Sequence, residues 1–145
     1  MSEKNNIDKK RIEGKISEIV DKIDSIKNKL PEDYKTFERM DFVKDGIYKR
    51  IEFAIQNVID ICYLINSGLR LGVPETEDDV FENLEKNKIL SKKIINLINQ
   101  MKGFRNILVH KYGKINDEMA FNSIREGLED FEIIINEIEK FLKNN

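Results

Sequence analysis

A single cysteine, Cys62, rules out an intrachain disulfide. It lies in an apolar helical stretch where a small hydrophobe fits, so a reducing, intracellular setting is the simplest expectation. The amino terminus has no basic-then-apolar leader, and no apolar run approaches the roughly 20 residues that a bilayer requires. A cytoplasmic protein without membrane association is therefore expected. Only two prolines and seven glycines interrupt 145 residues, and nowhere do apolar and polar side chains alternate as in a half-buried strand. Internal repeats are missing, as are low-complexity tails beyond the polar terminal residues. The net charge of −2 argues neither for nor against a polyanionic partner, so the distribution of charge has to decide.

What is present is charge and aliphatic bulk at helical spacing. Charged residues make up 36% of the chain, and isoleucine and leucine dominate the apolar remainder. Ile12, Ile16, Ile19, Ile23, Ile26 and Leu30 recur at intervals of four and three, which predicts an apolar stripe on a first helix over about 8–29. Pro31 biases Leu30 away from helical angles and ends it. A short turn or helix through Tyr34 and Phe37 leads to Asp41, an expected N-cap. Val43, Ile47, Ile51, Ala54, Ile55, Val58, Ile61, Cys62 and Ile65 predict a long helix over about 42–69. Gly46 weakens its first turns, and Ser67-Gly68 with Gly72 and Pro74 closes it.

Thr76 and Asp79 have the spacing of a capping box, opening a short helix through Phe81 and Leu84. Ser91 can cap the next long helix, which carries Ile94, Ile95, Leu97, Ile98, Met101, Leu108 and Val109. Asn116 or Asp117 can cap the last one, whose inward face is expected to hold Met119, Phe121, Ile124, Leu128, Phe131, Ile135, Ile138 and Leu142. The expected fold over 1–145 is one all-α domain, an up-down bundle of four long helices plus one or more short ones. A chain of this length can bury roughly two-thirds of the surface it exposes unfolded.

Charge is segregated along the chain. From Lys86 to Lys114 there is no Asp or Glu, while Lys86, Lys88, Lys92, Lys93, Lys102, Arg105, Lys111 and Lys114 all fall inside this window. Residues 75–85, by contrast, hold Glu75, Glu77, Asp78, Asp79, Glu82 and Glu85. Taken alone, the basic run reads equally well as a solvated helix face favoured by the C-terminal dipole. It also contains the only histidine, His110, and that coincidence is better explained by a phosphate backbone, with Lys102, Lys111 and Lys114 as contacts.

His110 stands in FRNILVHKY, residues 104–112, five residues after Arg105 and two before Tyr112. Each residue alone has a structural reading. His110 could be a helix-end or core histidine, Arg105 an ion-pair partner, Asn106 a solvated amide and Tyr112 a packing residue with its hydroxyl at the surface. As a set, Arg-Asn-x-x-x-His-x-Tyr resembles the R-x-x-x-x-H-x-Y signature of the HepT-like HEPN ribonuclease toxins. The likeness extends to RIEFAIQNVIDICYLI (50–65), to the connecting segment VPETEDDVFENLEKNKIL (73–90) and to the long final helix. It covers nearly the whole chain from about residue 10.

The resemblance implies a metal-independent endoribonuclease that uses no cofactor, the toxin of a type VII HEPN/MNT toxin–antitoxin system. Such chemistry needs proton transfer at the ribose 2′-hydroxyl and the leaving oxygen, and positive charge at the phosphate. His110 suits the first role, since imidazole titrates near neutrality. Arg105 suits the second, since its planar fork pairs with phosphate oxygens. Asn106 could orient the phosphate or the imidazole. On a regular helix, however, residues five apart point roughly 140° apart. Either the helix unwinds toward Gly113 or the cleft draws residues from two copies. The resemblance implies the second, a homodimer whose two motifs share a cleft on the RNA. It further implies that an MntA-type nucleotidyltransferase antitoxin transfers AMP onto Tyr112, placing charge and bulk beside the catalytic pair.

Two other readings stand beside this one. The chain could be a non-catalytic HEPN helical module that binds a nucleotidyltransferase, or a structural dimer seamed along the first helix like a coiled coil. Asn57 and Asp60 interrupt an apolar run and read as solvated or core-bonded groups before cleft helpers. Glu52 and Gln56, one turn apart, read as a surface pair.

Overall fold

The isoleucine stripe folds as expected. In the computed structural model, which describes residues 6–145, helix α1 spans Lys9–Lys29, and the Asp8 carboxylate caps it by accepting the Arg11 N–H at 3.1 Å. Ile12, Ile16, Ile19, Ile23 and Ile26 are all buried, chiefly against α3 (Phe42–Gly68). The stripe is consumed inside the chain and leaves no apolar seam on α1 for a coiled coil. Between the two lies α2 (Tyr34–Glu38), capped by Asp33. Its Phe37 is fully buried, with ring centroids 5.7 Å from Tyr48 and 5.2 Å from Phe121.

The ends of α3 depart from expectation in instructive ways. Asp41 precedes the helix but makes no side-chain cap, because its positive φ of 50° turns the carboxylate away from the first-turn N–H groups. Gly46 is accommodated within the helix. At the other end, the left-handed position is taken by Arg70, at φ 54°, with the Leu71 N–H bonded back to the Asn66 carbonyl at 3.0 Å. Gly68 is needed for a different reason: a Cβ there would lie 2.9 Å from the Ile7 Cα. The segment preceding α1 presses on the end of α3 at that point, and the Asn6 N–H donates to the Gly68 carbonyl at 3.1 Å.

Helix α4 (Glu77–Lys86) opens with the expected capping box, Thr76 and Asp79 each bonding the other's backbone N–H. Ser91 caps α5 (Lys92–His110), a 3-10 turn follows at Tyr112–Lys114, and Asn116 rather than Asp117 caps α6 (Asp117–Lys143). Four long helices and two short ones thus form an all-α bundle, with no strand among the described residues. No described helix is long and apolar enough to cross a membrane. Helix α3 is central, packed on α1, α4 and α5, while α6 closes against α1, α2 and α5.

Three residues of the apolar pattern face out, among them Met119, expected on the inward face of the last helix. Met119 is 68% exposed, because it lies two residues before the buried Phe121 and so roughly 160° around the helix from it. Val109 and Val43 are also exposed, one beside the buried Leu108 near the end of α5 and the other in the overhanging first turn of α3.

The ring of Phe37 is what holds α2 in place and backs Tyr48. Phe37→Ala should therefore lower the unfolding free energy by about 3–5 kcal/mol, read as a fall in the urea midpoint. A loss below about 1 kcal/mol would show that α2 is anchored elsewhere.

Candidate functional site

Helix α5 stays regular through its last turn, with the Lys111 N–H still bonded to the Ile107 carbonyl at 2.9 Å. Unwinding therefore begins after His110, and does not bring Arg105 and His110 onto one face. Within one chain they stand roughly 140° and 7.5 Å apart along the helix.

Arg105 is only 9% exposed and is held on every side. Its Nη1 donates to Gln56 Oε1 at 2.8 Å and to Glu77 Oε2 at 2.9 Å, and its Nη2 donates to Glu77 Oε1 at 2.8 Å and to Asn106 Oδ1 at 2.8 Å. The Nε–H completes the set with a 3.2 Å bond to Asn106 Oδ1. All five N–H donors of the guanidinium are thus taken by its own chain. The fork-to-fork pairing with Glu77 raises the Arg105 pKa against the opposing effect of burial. Gln56 is held in turn, donating to Asp60 at 2.9 Å, and Asp60 pairs with Lys15 at 3.6 Å. Gln56 is thus part of the arginine's setting and does not pair with Glu52, which takes Lys49 at 3.2 Å. Asn57 is buried and reaches Glu18 at 3.4 Å, away from this cluster.

The charge blocks that are separate in sequence meet in space. Glu77 and Asp78, the first two residues of α4, take Arg105 and Lys102 respectively, and the Lys102 ammonium also lies 5.8 Å from the Phe81 ring centroid. Two cations of the acid-free window are therefore already neutralised. Lys111 and Lys114 are exposed and form no ion pair among the described residues. His110 is exposed too, and its imidazole makes no hydrogen bond among them.

Tyr112 is 48% exposed, and its hydroxyl donates to Asp45 Oδ1 of α3 at 2.5 Å. Its ring meets the buried Tyr48 edge-on, with centroids 6.1 Å apart. Tyr48 donates to Asp117 Oδ1 at 2.5 Å, and Lys44 bonds the other oxygen at 2.9 Å. Burial works against the Asp117 carboxylate, but these two donors outweigh it and hold its pKa below the ordinary value. Partial burial, then the Asp45 bond, pushes the Tyr112 phenol up to about 12. Among the described residues no group of three or more His, Cys, Asp or Glu side chains converges as metal ligands would. A groove of about 190 Å³, lined in part by Ile55, Met101, Phe104 and Phe131, contains none of Arg105, Asn106, His110 or Tyr112.

Sequence reasoning missed Glu77, Gln56 and Asp45. The four-residue spacing of Gln56 and Asp60 signals their mutual bond, and the capping box fixes where Glu77 stands. Nothing local says that either reaches Arg105 or that Asp45 reaches Tyr112.

The raised Tyr112 pKa favours the phenol in the folded state, so its contribution to stability is present below about pH 10 and is lost as the pH rises toward 12. Phenolate absorbance of wild type minus Tyr112→Phe should give a step centred near 12, against the ordinary 10. A step near the ordinary value would show that neither the partial burial of the ring nor the bond to Asp45 persists in solution.

Residues 16–138 match the family model described as "Ribonuclease HepT-like". The chain is 30% identical over 102 residues to a protein of Shewanella oneidensis named mRNA nuclease HepT, covering 70% of this chain and 77% of that one. It is 26% identical over 127 residues to the tRNA nuclease HepT of Aphanizomenon flos-aquae, covering 88% and 84%. The structure superposes on the tri-AMPylated S. oneidensis HEPN toxin, solved in complex with MNT antitoxin, with a TM-score of 0.79 and 29% identity over 89% of this chain and 96% of that one. YutE of Bacillus subtilis shares the fold alone, with a TM-score of 0.81 over 97% and 94% at 14% identity. With more than two-thirds of its length matched to the family model, the chain belongs to the HepT-like ribonuclease family.

Proposed function

We propose that this protein is a metal-independent endoribonuclease, the toxin of a type VII toxin–antitoxin pair whose antitoxin is an MntA-type nucleotidyltransferase. Family membership supports the reaction class. The observation that carries the residue assignment is the exposed imidazole of His110, which has no internal hydrogen bond among the described residues. A core histidine would be packed or bonded, whereas this one, at the end of α5, is free to meet substrate. In this reading His110 moves the proton at the ribose 2′-oxygen or the leaving 5′-oxygen. Attack of the 2′-oxygen on phosphorus then leaves a cyclic phosphate and a 5′-hydroxyl.

Arg105 supplies charge to the phosphate in the transition state, and Asn106, already on the guanidinium edge, aligns it. Lys111 and Lys114 are free to contact the RNA backbone, and Lys102 joins them on leaving Asp78. The angular separation of Arg105 and His110 supports a homodimer in which the two motifs line one cleft. Relatives named mRNA nuclease and tRNA nuclease support RNA as the substrate class. The hydroxyl of half-exposed Tyr112 is the acceptor for AMP, by analogy with the AMPylated relative. An adenylyl group there adds bulk and negative charge beside the motif and so silences the cleft.

Total RNA incubated with purified protein in EDTA should be cut by the wild type, leaving cyclic phosphate and 5′-hydroxyl ends, and left intact by His110→Ala at unchanged helical circular dichroism. Cleavage retained by His110→Ala would remove that residue from the mechanism. Mixing Arg105→Ala with His110→Ala subunits should restore part of the activity if the cleft is shared, and none if each chain works alone. The saturated donors of Arg105 favour a second reading, a catalytically silent module that binds the nucleotidyltransferase. Failure of wild-type protein free of AMP to cut RNA would select it.

A further inference from the structure

The first turns of α3 divide their acids and bases unevenly around Tyr112. Lys44 and Tyr48 both bond Asp117, forming a closed set. Lys49, one turn beyond Asp45 and its natural neutralising neighbour, is drawn instead to Glu52 at 3.2 Å. Asp45 is left exposed, with no ion pair among the described residues and the Tyr112 hydroxyl on its Oδ1 at 2.5 Å. The Tyr48 and Tyr112 rings stand nearly perpendicular, with centroids 6.1 Å apart. An acceptor hydroxyl is therefore held at the surface with an unneutralised carboxylate on its proton.

We propose that Asp45 is the general base for transfer of AMP onto Tyr112, so that the modified chain supplies the base for its own modification. This inference rests on the reading of Tyr112 as the AMP acceptor. The Tyr112 oxygen attacks the α-phosphorus of ATP held by the nucleotidyltransferase. As the O–P bond forms, the bond from the α-phosphorus to the bridging oxygen breaks and pyrophosphate departs with the electron pair. The phenolic proton passes to the Asp45 carboxylate and from there to water. A base is needed because phenolate is scarce on this residue: partial burial and the carboxylate itself push the phenol up to about 12. The charged and titratable groups facing Tyr112 are Asp45 and Tyr48 of α3 and Asp117 of α6. Of these only Asp45 touches the hydroxyl, since Asp117 is occupied by Tyr48 and Lys44. Once AMP is attached, the ester oxygen has no proton to give. The phosphodiester and Asp45 then repel, turning the adduct away from α3 and toward the end of α5.

The test uses the full-length chain, radiolabelled ATP and an MntA-type enzyme chosen because it modifies the wild type. Initial rates of AMP incorporation are compared between about pH 6 and about pH 9. Asp45→Asn should slow incorporation on the order of 100-fold or more. Its rate should rise about tenfold per pH unit, because the acceptor must then ionise unaided. Asp45→Glu, which keeps a carboxylate, should retain the wild-type pH profile. An Asp45→Asn profile parallel to the wild type, fast or slow, would overturn the base role and leave the acceptor assignment standing. Incorporation into Tyr112→Phe at the wild-type rate would instead overturn the acceptor assignment, and the inference with it. Circular dichroism of each variant reports the fold independently.

Discussion

The pairing of Arg105 with Glu77 is the constraint on which the motif-bearing end of this bundle depends. An arginine that is only 9% exposed cannot be left unpaired without a desolvation penalty. The chain meets that demand from three directions, with Gln56 from α3, Glu77 from the first turn of α4 and Asn106 from α5 itself. Each partner is secured in its own right, Gln56 by Asp60 and Glu77 by the capping box that fixes the start of α4. The ion pair thereby joins α4 to α5, with the Asp78–Lys102 pair beside it.

A second set of contacts runs from the short helix to the tyrosine. Phe37 is locked into the core, Tyr48 packs on Phe37, and Tyr112 meets Tyr48 edge-on. Edge-to-face aromatic pairs are geometrically selective, so the position of a surface hydroxyl is tied to the deepest ring of α2. Asp117 and Asp45 then receive the two phenolic protons separately. The neighbouring tyrosines consequently differ in character, one sealed against Asp117 and Lys44 and the other open to solvent.

Most of the helices are legible in the sequence because their causes are local. The spacing of Ile12 to Ile26, the break at Pro31, the Thr76–Asp79 box and the caps at Ser91 and Asn116 all act within a few residues. The same locality explains the errors. Asp41 has the right chemistry for a cap, but its backbone angle denies it the geometry. Met119 is apolar, but on the wrong side of α6. Gly68 is tied to the segment before α1, an encounter across about sixty residues that periodicity cannot register. At the site, Arg105, Asn106, His110 and Tyr112 announce themselves as a motif. Their partners Glu77, Gln56 and Asp45 come from other helices and are visible only once α3, α4 and α5 are packed. The acid-free window shows the limit most clearly, since it is basic along the chain while two of its eight cations, Lys102 and Arg105, are paired with acids in space.

That neutralisation changes what it means for an anion to arrive. A phosphate approaching Arg105 finds no vacant positive charge, because Glu77 already occupies the fork with two oxygens. Any engagement there is an exchange of ligands around a fixed guanidinium, one two-oxygen edge for another, and the charge of the site is nearly the same before and after. On the proposed function, attraction over distance would fall to the exposed cations at the helix end, Lys111 and Lys114. On the same proposal, the guanidinium would discriminate by shape, admitting an incoming group only if its oxygens match the spacing that a carboxylate already fits.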